Sequence, residues 1–168
     1  MGLLAVPFAV IARPLDNPVL DRRLVQLRRG TGNAVIPKRR AVRETLRALA
    51  RGAGVAILID QDAGVDGVFV PFFGRLASTT PTLALLALRT GAPILPVFAR
   101  IDADGTIVVH IEPVIEPRPT EDRDDDVRRL TSACTEIVEH WVRRSPEQWL
   151  WMHRRWKTRP PEGPAVGA

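Results

Sequence analysis

The sequence predicts an α/β domain with a mixed, largely parallel sheet flanked by helices. Three observations point there. Short apolar runs of strand length alternate with stretches of helical period through the first half of the chain. One such run, Val55–Ile59, ends directly in the acidic turn Asp60-Gln61-Asp62, at the strand end where α/β folds gather their sites. Further on, Ile94–Ile101 and Thr106–Ile111 flank the turn Asp102–Gly105 and read as an antiparallel hairpin.

Phe8–Ala12 is the first expected strand, a short apolar run ended by Arg13-Pro14. Asp16-Asn17-Pro18 makes a turn and caps a helix from about Val19 to Arg29, because Pro is favourable at a first helical position. Gly30 and Gly32 end it, and Ala34–Ile36 is a short strand. Arg39–Arg51 is helical by period: Val42, Leu46 and Leu49 share a face, and Gly52 is a natural stop. Arg40, Arg43, Arg47 and Arg51 line an adjoining face, either solvated or anion-binding.

Beyond the acidic turn, Val70-Pro71-Phe72-Phe73-Gly74 reads as an apolar exit from a glycine-punctuated loop. Thr80 is the expected N-cap of a helix, Pro81–Thr90, apolar almost all round and so buried. A proline-rich connection (Pro113, Pro117, Pro119) leads to Thr120. Glu121, Asp122, Asp124, Asp125 and Asp126 then open a long helix to about Arg144, where acidic residues suit the helix dipole. Ser145-Pro146-Glu147 predicts a last helix carrying Trp149, Trp151, His153, Arg154, Arg155, Trp156 and Lys157. On that helix Trp149, His153 and Trp156 share a face, for packing or for a lipid interface. The tail, residues 160–168, is rich in Pro, Gly and Ala and reads as disordered, leaving one domain over residues 1–159.

Lys and Arg outnumber Asp and Glu by 24 to 19, with Arg supplying nearly all the positive charge. The planar guanidinium suits phosphates and carboxylates, so anionic partners are expected. Basic residues with interleaved aromatics raise nucleic acid as one of them, but no nucleic-acid motif is present. The single cysteine, Cys134, excludes an internal disulfide and sits as a small core residue of a helix. Leu3–Ala12 is too short to span a bilayer and lacks the features of a signal peptide.

Four stretches together match a known pattern. They are Arg13-Pro14-Leu15-Asp16-Asn17-Pro18-Val19-Leu20-Asp21 with Arg28 and Gly32; Ile59-Asp60-Gln61-Asp62 with Val70-Pro71-Phe72-Phe73-Gly74; Ala77 and Thr79 with Thr90-Gly91-Ala92-Pro93-Ile94-Leu95-Pro96; and Pro146-Glu147-Gln148-Trp149-Leu150-Trp151-Met152-His153-Arg154-Arg155-Trp156-Lys157. In this order and spacing the chain resembles the lipid A biosynthesis lauroyl/myristoyl acyltransferases, over about residues 11 to 160. These belong to the broader glycerolipid acyltransferase fold, which also includes phosphatidylinositol mannoside acyltransferases. The resemblance implies transfer of a fatty acyl chain from acyl carrier protein, or acyl-CoA, to a hydroxyl of a phosphorylated glycolipid. It places the enzyme at an anionic membrane surface, on the cytoplasmic face of the bacterial inner membrane, and requires no metal or bound cofactor.

The implied chemistry is general-base catalysis by a His, with an acidic residue four positions on orienting it and cations steadying phosphate and oxyanion. That His-x4-Asp/Glu motif is expected upstream of Met1, as is a membrane helix, so the chain reads as an N-terminally truncated member. His110, His140 and His153 have no acidic residue at the needed spacing; Arg144 and Lys157 lie four beyond the latter two. By resemblance, Asp60 and Gln61 are the supporting site residues, beside the alternative that they form only a turn. Arg13, Asn17, Asp21, Arg28, Arg43 and Asp62 are the candidate substrate-binding residues, with an internal Asp21–Arg28 pair as the competing reading. Asp60 and Asp62 alone make a poor metal site. The alternative to an enzyme is an inactive fragment that retains anion or membrane binding.

Overall fold

A computed structural model describes residues 8–12, 16–30, 34–37 and 41–161 of the chain, which falls into two compact units, Met1–Leu58 and Ile59–Ala168. Arg13, Gly32 and Arg40, the side chain of Arg28 and tail residues 162–168 lie outside the described set.

The first unit is a parallel three-stranded sheet in the order β2-β1-β3, with β1 Phe8–Ala12, β2 Ala34–Pro37 and β3 Gly54–Ala56. Helix α1 (Pro18–Gly30) joins β1 to β2, and α2 (Ala41–Ala50) joins β2 to β3. A parallel pair needs such a crossover, because a tight turn can only reverse the chain. Asn17 caps α1 as expected: its side-chain oxygen accepts the Val19 and Leu20 N–H groups at 2.9 and 3.3 Å. Gly52, at φ 75°, ends α2.

Two expectations change in this unit. The buried face of α2 is Thr45 and Ala48, with Ala48 packed on Ala9 and Ile36, whereas Val42 is 58 % exposed. The strand expected to run to Ile59 stops at Ala56, because β1 pairs only with Gly54, Val55 and Ala56. Past that ladder Leu58 is 79 % exposed.

The second unit holds two antiparallel hairpins, two helices and a turn-rich C-terminal segment. β4 (Val68–Phe72) pairs with β5 (Arg75–Thr79); α3 (Thr82–Thr90) follows; β6 (Val97–Ile101) pairs with β7 (Ile107–Ile111); α4 spans Arg123–Arg144. Among the described residues the strands therefore form three small sheets instead of one mixed sheet, within the α/β class expected. The hairpin β4–β5 corrects the reading of Val70–Gly74 as a loop exit. Its tip, Phe73-Gly74, has two successive positive φ angles, 52° and 72°, as in a type I′ turn. β6 is shorter than expected. Pro96 has no N–H for a ladder, so Ile94 makes only an isolated bridge to Ile115.

Asp122 caps α4 by accepting the Asp125 N–H at 2.9 Å, as its position predicted. Asp126, also in the first turn, is buried: it accepts from Thr120 N–H and Oγ1 and pairs with Arg129 at 2.7 Å. On one side α4 packs Val127, Leu130 and Cys134 against Ala84 and Ala87 of α3. Burial pushes the Cys134 thiol up to about 11, as fits the core role expected of it. Pro81, not Thr80, is the N-cap of α3, though Thr80 Oγ1 still accepts the Thr82 N–H. The expected last helix does not form. After a 3₁₀ turn, Pro146–Gln148, the chain proceeds by turns, which let Trp149 and Trp156 both reach Phe72.

Candidate functional site at the Ile59–Asp62 loop

The loop that leaves Ile59 gathers two carboxylates within three residues, Asp60 and Asp62, both half-buried, with Gln61 exposed between them. Buried carboxylates need partners, and the C-terminal segment supplies them. The Asp62 N–H donates to His153 Nε2 at 2.8 Å. Thr158 donates to both oxygens of the same carboxylate, its Oγ1–H to Oδ2 at 2.9 Å and its N–H to Oδ1 at 3.3 Å. Asp62 is thus occupied in tying residues 59–62 to residues 153–158.

Arg155, between those anchors, is 1 % exposed. Its Nη1 donates to the Ser78 carbonyl at 2.6 Å, its Nη2 to Thr79 Oγ1, and its guanidinium lies 5.3 Å from the ring centre of Phe72. Burial lowers its pKa, while the charges of Asp60 and Asp62 act to raise it. β5 also braces the loop from below: Ala63 N–H donates to the Ser78 carbonyl and Ser78 Oγ–H to the Gly64 carbonyl. Gly67 is required here, since a Cβ would stand 2.0 Å from Ser78 Oγ and 3.1 Å from the Thr79 nitrogen. One carboxylate oxygen, Asp60 Oδ1, is buried without a hydrogen-bond partner, as is Arg155 Nε.

The expected residues separate into two groups. Asp60, Gln61 and Asp62 stand in the second unit with His153, Arg155 and Thr158 around them. Asn17, Asp21 and Arg43 belong to the first unit. There Asn17 is the α1 cap, Asp21 is half-buried on α1, and Arg43 is exposed on α2. Arg13 and the expected Asp21–Arg28 pair fall outside the described residues and side chains.

Arg155 is the main correction. The basic run between tryptophans was expected on a helix, for packing or for a lipid interface; without that helix the run splits, leaving Arg154 and Lys157 exposed and Arg155 buried. The partners of Arg155, which are Ser78, Thr79 and Phe72, carry no local signal that could link them to it, with Thr79 lying 76 residues away. Trp149 and Trp156 pack on Phe72 at 5.6 and 5.5 Å, which is the packing alternative for these residues. The exposed apolar residues of the segment are Leu150, Trp151 and Met152.

The three histidines have different surroundings. His153 Nε2 is already an acceptor for Asp62. His110 lies against Trp141 at 4.5 Å with Nε2 buried and unpartnered, and His140 is exposed on α4. The described residues hold no group of three His, Cys, Asp or Glu side chains that could take a metal ion. No helix among them is long and apolar enough to cross a membrane.

A loop anchored this way can orient a polar ligand and supply charge. A comparison with known proteins says in what context. The model of the bacterial lipid A biosynthesis acyltransferase family matches residues 1–158. The chain belongs to that family. It is 33 % identical over 154 residues to the lipid A biosynthesis lauroyltransferase of Escherichia coli K12, covering 89 % of this chain and 48 % of that protein. It is 36 % identical over 165 residues to the palmitoleoyltransferase of the same organism, covering 95 % and 51 %. A phosphatidylinositol mannoside acyltransferase of Mycolicibacterium smegmatis is 26 % identical over 154 residues, covering 89 % and 49 %. The chain spans about half the length of the curated family relatives it matches.

Proposed function

We propose that this chain is the acceptor-binding part of an acyltransferase of lipid A, and hence lipopolysaccharide, biosynthesis. The reaction moves a fatty acyl chain from acyl carrier protein, or acyl-CoA, to a hydroxyl of a phosphorylated disaccharide lipid. The observation that carries this reading is the Ile59–Asp62 loop. It lies within the stretch matched to the family and keeps one carboxylate, Asp60, free of hydrogen-bonding partners at Oδ1.

In the proposed mechanism Asp60 and Gln61 orient the acceptor. A base must remove the hydroxyl proton as the oxygen attacks the thioester carbonyl, with the thiolate leaving group taking a proton in turn. We propose that a His-x4-Asp/Glu pair supplies that base, a spacing that His110, His140 and His153 do not have. The site of action is proposed as the cytoplasmic face of the inner membrane, against anionic lipid. A mannosylated phosphoinositide is the second acceptor to test, favoured only by the 26 % relative.

The test is binding of a labelled phosphorylated disaccharide lipid precursor to the purified chain, with release of thiol from acyl carrier protein followed in parallel. Saturable binding that Asp60→Asn weakens about tenfold is expected. Binding without thiol release favours the non-catalytic reading, in which the histidines as placed do no proton transfer. Absence of binding overturns both.

A further inference from the structure

One turn of the C-terminal segment is built unlike the rest of it. Trp149 and Trp156 pack inward on Phe72, whereas Leu150, Trp151 and Met152 stand 67, 52 and 89 % exposed in succession. Leu150 and Met152 belong to none of the core clusters formed by the described residues. Three large apolar side chains left in water at one turn mark a contact surface.

The turn is nevertheless held in place. Trp151 packs edge-on against Trp149 at 4.7 Å and lies 6.3 Å from the ring of Phe73. Phe73 sits at a hairpin tip with φ 52°, which glycine or asparagine adopts at less cost, so its ring has a use there. That ring meets both Trp151 and the Arg143 guanidinium, the latter 4.4 Å from its centre. The backbone also closes on itself: Trp151 N–H donates to the Trp149 carbonyl at 2.9 Å and His153 N–H to the Leu150 carbonyl at 3.1 Å. Trp151 Nε1–H donates to the Pro146 carbonyl at 2.6 Å. An indole whose N–H is already satisfied can enter an apolar phase without stranding a donor.

Charge decides which apolar phase fits. From Arg143 to Arg159 the chain exposes five cations, Arg143, Arg144, Arg154, Lys157 and Arg159, against one acid, Glu147. Arg143 is shared with Glu139, and the other four make no ion pair among the described residues. An apolar tip with cations on both sides of it in the chain suits a bilayer with anionic headgroups: the tip enters the acyl boundary and the cations meet phosphate. An acidic protein would need the cations but not three protruding apolar side chains.

We propose that Leu150-Trp151-Met152 is the element that seats this chain in an anionic membrane surface. The proposal rests on the reading of the chain as acting against anionic lipid, and not on Asp60 or on acyl transfer. The test is sedimentation of the purified full chain with vesicles of phosphatidylglycerol and phosphatidylethanolamine, beside vesicles of phosphatidylcholine alone. Binding to the anionic vesicles with a blue shift of tryptophan emission is expected. Leu150→Ser combined with Met152→Ser should weaken that binding about tenfold through lost apolar burial. Trp151→Phe should remove most of the blue shift, because the other tryptophans stay packed on the protein. Arg154→Gln combined with Lys157→Gln should weaken binding about fivefold per cation at low salt. If the Leu150 and Met152 pair of substitutions leaves binding unchanged, the proposal is overturned while the lipid reading stands. A loss confined to the cation pair, with acyl carrier protein competing against the vesicles, would assign the face to an acidic protein and also overturn it. Failure of the unaltered chain to bind either vesicle would overturn the proposal together with the lipid reading.

Discussion

The two hairpins of the second unit have the same length and pairing and opposite surroundings. β4–β5 and β6–β7 each pair five residues with five in antiparallel register. In β6–β7 the turn is made by local means. Gly105 takes φ 83°, and the Asp104 carboxylate accepts the Thr106 N–H at 2.9 Å. One face puts Phe98 and His110 on Trp141, while the other leaves Val97, Ile101, Ile107, Val109 and Ile111 exposed. In β4–β5 the turn asks Phe73 for a positive φ, a conformation costly for a bulky side chain. Contacts from distant parts of the chain hold it there: Glu139 accepts the Phe73 N–H, and the Arg143 guanidinium lies 4.4 Å from its ring centre. Val70, Phe72, Ala77, Ser78 and Thr79 are almost completely buried. Identical ladders thus come to serve different ends, and what decides is the cover supplied by α4 and the C-terminal segment.

Substitutions that separate the two hairpins should follow that difference. Phe72→Ala has the largest expected effect, about 3–5 kcal/mol in a denaturant melt, since Phe72 is 0 % exposed beneath Trp149, Trp156 and Arg155. A loss below about 1 kcal/mol would mean that the cover repacks freely. Gly67→Ala should cost about 1–3 kcal/mol by forcing a Cβ into Ser78 Oγ, and should disorder residues 63–64 before the rest in hydrogen exchange.

Glu139→Gln should cost about 1 kcal/mol at neutral pH by weakening the bond to the tip. Burial works to raise the Glu139 pKa, but the Phe73 N–H and Arg143 outweigh it and hold the carboxyl below its ordinary value of 4.5. A depressed pKa contributes stability above the ordinary value that is lost as pH falls through the folded one. The stability gap between the unaltered chain and Glu139→Gln should therefore shrink as pH drops below about 4.5. A gap that widens in acid would contradict this account. The smallest effect is expected on the open face of the other hairpin, where Val109→Thr should change stability by less than about 0.5 kcal/mol. A larger change would show that something covers that face.

Legibility followed the range of the interactions. The parallel βαβ opening, the Asn17 cap, the Asp122 cap, the β6–β7 turn and the core position of Cys134 could all be read from residues a few positions apart. In each, the partner lies within one turn, or the hydrophobic period repeats locally. The β4–β5 hairpin was not legible, because Phe73-Gly74 lacks the Asn or Asp that marks a primed turn, and its compensating contacts come from 66 residues away. Nor was the C-terminal segment. Ser-Pro-Glu is a helix start only if the chain gains by continuing as a helix, and here the tryptophans gain more by reaching Phe72.

The candidate site divides along the same line. Residue order alone pointed to Asp60 and Gln61 and to the family, because the motifs are short and their spacing is a property of the chain. It could not show that Thr158 would take up the Asp62 carboxylate, or pick buried Arg155 out of a basic run. Those distinctions depend on which groups lose water, and burial is decided by elements that meet only in three dimensions. Thr158 occupies the Asp62 carboxylate, and Ser78, Thr79 and Phe72 hold the buried Arg155. Tertiary structure therefore decided how each side chain around that loop is held, which residue order does not show.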